Sequence, residues 1–380
     1  MSNKLISDVL LEVADAIETG NFGKKVRIGL TTLGSEHGSE NLINGAILAN
    51  SGMFEIVLIG KGHEDFKSYE VETEDEMYKK MEELLDSKEI DACVTMHYNF
   101  PIGVSTVGRV VTPGRGKEMF IATTTGTSAT DRVEAMVRNA IYGISTAKAC
   151  GIAKPTVGIL NLDGARQVEK ILINLKNNGY DFEFAESMRA DGGSVMRGND
   201  LLIGVPNVMV TDTLTGNLLM KVFSSFNTGG DFEACGYGYG PGIGEDYDRR
   251  VLILSRASGT PVVANALKYA YDVVRGEVNV VAREEYKKAV KCGLDKEINE
   301  LKAKKAPKEA EEAVVAPPKE VVTEGIAGVD ILDLEDAVKA LWKNGIYAES
   351  GMGCTGPIVM VAPERLEKAE AVLRENEYLA

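Results

Sequence analysis

Histidine is scarce in this chain, cysteine is solitary, positive charge is in deficit, and long apolar runs are missing. The three histidines, His37, His63 and His97, are scattered without a carboxylate pattern around them. That argues against a metal site, and none is expected. Five cysteines (Cys93, Cys150, Cys235, Cys292 and Cys354) occur singly and never as Cys-x-x-Cys. Such spacing fits neither a disulfide framework nor a zinc site. No segment approaches the ~18 uninterrupted apolar residues of a spanning helix, and no signal-peptide run follows Met1. The balance of 42 Lys and Arg against 57 Asp and Glu, a net charge of −15, argues against nucleic-acid binding and against an anionic membrane surface. A reduced, cytoplasmic protein is expected.

What is present is an ordinary globular mixture, 44% hydrophobic and 26% charged over 380 residues. The length suits two domains with an appendage. A helical period over residues 4–19 predicts a leading amphipathic helix. The apolar segments Val26–Leu30, Ile56–Gly60 and Ala92–Met96 then alternate with helical stretches at Asn41–Asn50 and Met77–Leu85. Strands alternating with helices predict an α/β fold with a mostly parallel sheet covered on both faces. Ligands in such sheets sit beyond the carboxyl ends of the strands, which places Thr32–Gly38 and His97–Gly103 on the functional edge.

A fresh strand at Pro155–Leu160 sets a boundary near residue 152. The expected organisation is a first unit of residues 1–152 with 250–282, a second of 153–249, a charged helix and linker over 283–325, and a tail of 326–380. The linker, Pro/Ala/Lys/Glu-rich over 303–321, cannot bury enough apolar surface to order itself.

Two stretches carry chemistry. In Glu349–Pro357 the cysteine Cys354 is framed by glycines and a threonine just before a short apolar run. Glycines let the backbone turn sharply there, keep bulk from the sulfur and leave amides facing an oxyanion. Ser255-Arg256-Ala257-Ser258 follows the apolar strand Val251–Leu254 and opens a helix. Hydroxyls, helix N-terminal amides and a guanidinium together suit a phosphate or acyl phosphate. Among the remaining candidates, His37 and His97 lie on functional-edge loops and are weaker choices as bases. Cys93, near the end of an apolar strand, is a weaker choice as a thiol. Cys235 sits in a glycine-rich loop, and Cys150 and Cys292 are placed on helices as structural residues. The stretch 236–244 lacks the strand-then-Gly-x-Gly-x-x-Gly order of a dinucleotide fingerprint, so no such cofactor is expected.

The segment from Ser255 to Leu267 resembles the Leu-Ser-Arg-Gly segment of phosphotransacetylases. Thr215-Gly216-Asn217-Leu218-Leu219-Met220-Lys221 and Gly240–Gly244 are similar to that family's Gly-Asn-(apolar)-Lys and Gly-Pro-Ile sequences. Residues 26–60 and Asp212–Asn217 resemble the phosphate acyltransferases of phospholipid synthesis. This resemblance implies a two-lobed fold of the isocitrate/isopropylmalate-dehydrogenase type. It also implies that Ser255 and Arg256, with Thr215, Gly216 and Asn217, hold a phosphate or acyl phosphate. Phosphotransacetylases carry an aspartate, the base for the coenzyme A thiol, where this chain has Val262.

A core of this kind joined by a linker to a Gly-Met-Gly-Cys-Thr-Gly-Pro tail resembles the alpha subunits of component C (protein D) of glycine/sarcosine/betaine reductases. That resemblance implies that Cys354 carries an acetyl thioester which phosphate releases as acetyl phosphate. It implies no cofactor beyond phosphate and the covalent acetyl group. Its partners would be a thiolase-like beta subunit of component C and the selenoprotein that delivers the two-carbon unit. Two other functions compete: a free-standing phosphate acyltransferase using coenzyme A or acyl carrier protein, and a non-catalytic assembly subunit.

Overall fold

A computed structural model of the chain describes residues 25–190, 192–305, 314–330, 333–353 and 356–379, with Val13 in addition. The leading helix expected over 4–19, Val13 apart, and the middle of the linker fall outside this set.

The chain begins with β1 (Val26–Thr31), α1 (Gly38–Ala49), β2 (Phe54–Gly60), β3 (Lys67–Glu70), α2 (Glu74–Asp86) and β4 (Ala92–Thr95). It continues with β5 (Val104–Val111), β6 (Glu118–Thr127), α3 (Arg132–Ala149), β7 (Thr156–Leu160), α4 (Ala165–Asn177), β8 (Glu183–Phe184), β9 (Val195–Met196), α5 (Gly198–Ile203), β10 (Val208–Val210) and α6 (Thr213–Ser225). β11 (Gly240–Ile243), β12 (Val251–Ile253), α7 (Thr260–Arg275), α8 (Val278–Lys291) and α9 (Leu294–Lys305) complete the body.

All of these strands join one twelve-stranded sheet, ordered β3-β2-β1-β4-β12-β11-β5-β6-β10-β7-β8, with β9 also on β7. Pairing is parallel from β3 to β12 and from β6 to β8, and antiparallel where β12, β11, β5 and β6 meet. The protein is therefore α/β, built on a large, mostly parallel mixed sheet. β6, counted from the sequence within residues 1–152, pairs with β10 of the segment 153–249.

Side-chain alternation divides the core between the two faces of this sheet. Ile56 and Leu58 of β2, Phe120 and Ala122 of β6, and Val208 and Val210 of β10 face one layer with Leu42, Val137 and Leu267 from α1, α3 and α7. Val57, Ile121 and Met209 face the other, with Met77 and Met81 of α2 and Met220 and Phe223 of α6. Each Val, Leu, Ile, Phe or Met among them contributes roughly 1.5–3 kcal/mol on burial.

Some boundaries differ from the sequence reading for identifiable reasons. The sequence reads as a turn over Thr211–Asn217 with a helix from Leu218; Thr213–Asn217 is instead the first turn of α6, because the Asp212 carboxylate caps it by accepting from the Thr215 N–H at 2.8 Å. The charged helix of 283–304 is two helices, α8 and α9, broken at Gly293 in the left-handed region (φ 103°). Gly240–Ile243, read as loop, is a strand. A Cβ at Gly240 would lie 1.8 Å from the Val107 oxygen, so only glycine lets β11 approach β5 there.

The tail is β13 (Glu324–Ala327), α10 (Leu334–Lys343), β14 (Ala348–Gly353), β15 (Gly356–Val361) and α11 (Leu366–Glu375), its three strands ordered β13-β15-β14. It has its own core, in which Ile326, Val359 and Val361 pack on Leu341 and Leu373. α4 holds it to the body: Gln167 Nε2 donates to Asp333 at 3.2 Å, and Lys170 pairs with Glu377 at 3.0 Å. No helix among the described residues is long and apolar enough to cross a membrane.

Candidate functional site

Beyond the end of β12 the chain turns at Ser255–Gly259 before α7 starts. The turn is closed from within: the Ser258 N–H donates to the Ser255 oxygen at 3.0 Å, the Ser255 N–H to Ser258 Oγ at 3.1 Å, and the Ala257 N–H to Ser255 Oγ at 3.1 Å. The serines thus form a separate turn and do not open the helix, whose N-cap is Gly259.

Glu233 is the hub beneath this turn. Its residue is 1% exposed, yet its carboxylate accepts from Ser258 Oγ at 2.8 Å and from the Tyr239 hydroxyl at 3.1 Å. Lys221 Nζ pairs with the same carboxylate at 2.9 Å and also donates to Ser255 Oγ. Burial, reinforced by Glu233, pushes the Tyr239 hydroxyl far above its ordinary value, so it stays a proton donor. A buried carboxylate with three donors is satisfied, and it sets a half-exposed ammonium beside a serine hydroxyl.

The loop after β1 closes over the other side. The Glu36 N–H donates to the Arg256 oxygen at 2.9 Å, and Asn41 Nδ2 donates to the Ser258 oxygen at 2.9 Å. His37 Nε2 lies 3.3 Å from the Ala257 oxygen, with its ring edge-on to Phe232. The Arg256 side chain is half exposed and pairs with Glu74 at 3.0 Å. That pair engages one Nη atom of a group that carries five N–H donors.

Thr215, Gly216 and Asn217 seat α6 on β6. A Cβ at Gly216 would lie 1.7 Å from the Thr123 oxygen, and Asn217 Nδ2 donates to the Thr124 oxygen at 3.0 Å. Asn217 and Lys221 are four residues apart and share a helix face, so this seating aims the lysine at Ser255. Burial works against the Asp212 charge. The Thr215 N–H and Arg132 prevail and hold its carboxyl below the ordinary value of 3.8.

The structure therefore brings Ser255, Arg256 and His37 together and links Thr215–Asn217 to them through α6. His97 is exposed just past β4, with no hydrogen bond or ion pair among the described residues. Cys93 is buried within β4, and burial raises its thiol far above the ordinary value. Cys150 and Cys292 are C-caps of α3 and α8, one position past the helices; burial pushes the Cys150 thiol up to about 12. Cys235 is partly buried, which also raises its thiol. Val262 is fully buried in the core on α7. Cys354 lies outside the described residues. The strands flanking it pair as a hairpin down to Gly353 opposite Gly356.

Sequence reasoning missed Glu233 and Tyr239, and it quoted Lys221 only within a motif. One signal was available: Glu233 is the sole charge between Phe232 and Gly244, where a lone acid in a glycine- and tyrosine-rich stretch needs partners.

Comparison with known proteins finds relatives of the chain. The family described as Fatty acid synthesis protein matches residues 26–360. The glycine/sarcosine/betaine reductase complex component C subunit alpha of Peptoclostridium acidaminophilum is 63% identical over 98% of this chain and 97% of its own length. A phosphate acyltransferase of Thermotoga petrophila is 26% identical over 52% of this chain and 67% of its own. A branched-chain phosphotransacylase from Enterococcus faecalis V583 superposes with a TM-score of 0.48 at 15% identity, over 66% of this chain and 99% of that one. The chain belongs to the Fatty acid synthesis protein family and, within it, to the component C alpha subunits of the glycine/sarcosine/betaine reductases.

Proposed function

We propose that the chain is a phosphotransacylase-like subunit of such a reductase complex, converting an acetyl thioester on Cys354 into acetyl phosphate. A phosphate oxygen attacks the thioester carbonyl, a C–O bond forms, the C–S bond breaks, and its electron pair leaves on the Cys354 sulfur. The observation that carries this reading is Lys221, held by buried Glu233 and touching Ser255 Oγ, with Arg256 next along the same turn. Two cations and a hydroxyl suit a phosphate dianion and the charge that develops as it attacks.

The identity to a component C alpha subunit and the likeness to phosphate acyltransferases support the acyl-transfer class. Val262 is consistent with a tethered thiol. Where the phosphotransacetylases that the chain resembles carry the thiol's base, this chain has a fully buried side chain with no proton-accepting atom. The reading therefore assigns the attacked thioester to the protein's own cysteine. The Cys354 hairpin and the linker before it would bring that thioester to the Ser255 turn. The partners would be a thiolase-like beta subunit and the selenoprotein that supplies the two-carbon unit.

Intact-protein mass spectrometry after incubation with acetyl phosphate tests the reading. An acetyl adduct absent in Cys354→Ala and slowed in Arg256→Gln is expected. An adduct unaffected by Cys354→Ala overturns it. Turnover that requires coenzyme A or acyl carrier protein and ignores Cys354→Ala would establish a free-standing acyltransferase instead.

A further inference from the structure

A cavity of about 560 Å³ lies where the tail meets the body, and no residue of the Ser255 turn lines it. From the body it is lined by the turn after β7 and the start of α4, Asn161–Arg166, and from the tail by Ala327–Asp330 with Pro357 of β15. Three arginines line it: Arg166 on α4, and Arg189 and Arg197 from the segment before α5. Arg166 uses part of its guanidinium on Glu169, at 2.8 Å, and has further N–H donors to offer. Two carboxylates line it as well. Asp163 is met by a fourth arginine, Arg132, at 3.4 Å, and Asp330 is buried.

Three guanidiniums around one cavity stand out in a chain of net charge −15. The N-terminus of α4, a helix of 13 residues, adds to the positive field. Its N-cap is Gly164 at φ 85°, so no side chain caps the first amides. Gly164, Gly192 and Gly193 on the body side keep side-chain bulk out of the space.

We infer that this cavity is a second anion site, for a phosphate-bearing small molecule, and that its occupant clamps the tail to α4. Arginine forks and a helix N-terminus match phosphate oxygens. The volume exceeds what a bare phosphate needs and admits a short acyl or other organic substituent. Because one wall belongs to the tail, the ligand favours the docked position of the hairpin that carries Cys354. This site stands independently of the Ser255–Arg256 reading.

Hydrogen exchange on the full chain tests it, with inorganic phosphate and acetyl phosphate as probes. Exchange of the Ala327–Asp330 amides should slow on the order of tenfold at a probe concentration ten times its dissociation constant. Protection is expected to persist in Arg256→Gln and to vanish in Arg166→Ala and in Arg197→Ala. Arg166 is half exposed, so its replacement leaves the fold intact, and Arg197→Lys, keeping the charge, should retain partial protection. Protection at lower concentrations of acetyl phosphate than of phosphate assigns the occupant as an acyl phosphate, and the reverse order assigns inorganic phosphate. No slowing with either probe in the native chain, or slowing that survives Arg166→Ala and Arg197→Ala together, overturns the inference. Slowing lost in Arg256→Gln alone also overturns it, because the anion would then act from the Ser255 turn.

Discussion

Replacing Lys221 with methionine keeps the length of the side chain and removes its charge. In the native protein the ammonium is 2.9 Å from the Glu233 carboxylate and also reaches Ser255. Without it, Glu233 keeps only Ser258 and Tyr239 as donors and becomes a buried charge without a cation. A hydrogen bond to a charged group is worth about 1.5–3 kcal/mol. The Lys221 side chain is 46% exposed, so solvent screening reduces the expected loss of stability to about 1–2 kcal/mol. In Glu233→Gln the lysine loses its anchor while the amide oxygen still accepts one hydroxyl. The two single losses should therefore exceed the double variant, with a coupling of about 1 kcal/mol. Urea unfolding followed by far-UV circular dichroism measures all three variants. Acetyl release by phosphate should fall together with stability, by about 10- to 100-fold, since each tenfold corresponds to about 1.4 kcal/mol. Additivity within about 0.3 kcal/mol, with unchanged phosphate dependence, would refute the view that Lys221 and Glu233 act as one unit.

Four further outcomes are expected. Gly216→Ala should destabilise by about 3 kcal/mol or more, because its Cβ would collide with the Thr123 oxygen; Gly198→Ala, with open space around it, should shift the urea midpoint by less than about 0.5 kcal/mol equivalent. Arg256→Gln should leave stability within about 1 kcal/mol, as its pair with Glu74 is a surface one, while lowering phosphate-dependent turnover at least about tenfold. Because the folded carboxyl of Asp212 is depressed below 3.8, its contribution is complete well above that pH and is lost as pH falls through the folded value. The stability gap between the native chain and Asp212→Asn should therefore be wide at pH 7 and shrink by pH 3, as urea midpoints at the two pH values would show. Finally, iodoacetamide at pH 8 should leave Cys93 and Cys150 unlabelled until the protein is unfolded, since burial both shields these thiols and raises their pKa values; peptide mass spectrometry reads the outcome.

The alternating pattern made the fold class legible because a strand buried on both faces must be apolar throughout. β1, β2 and β4 were found this way. The Ser255–Arg256 turn was legible from its place after such a strand. β11 and β14 were not, because glycine-rich segments carry no hydrophobic period, and their strand geometry comes from the neighbours that pair with them. The first turn of α6 was missed for a related reason: Thr213–Asn217 has turn-like composition, and only the Asp212 cap makes it helical.

By itself, the sequence determined which segments are apolar enough to form the sheet, which residues carry charge, and that a lone cysteine sits among glycines near the end of the chain. Those are local properties, set by residue type and spacing. Only the tertiary structure decided that Glu233 lies beneath Ser258, that Lys221 reaches Ser255 from a helix 34 residues earlier, and that Val262 points into the core. It alone brought Arg166, Arg189 and Arg197 together against the tail. Contacts of this kind join segments far apart in sequence, and their geometry follows from the strand order of the sheet, which no local pattern encodes.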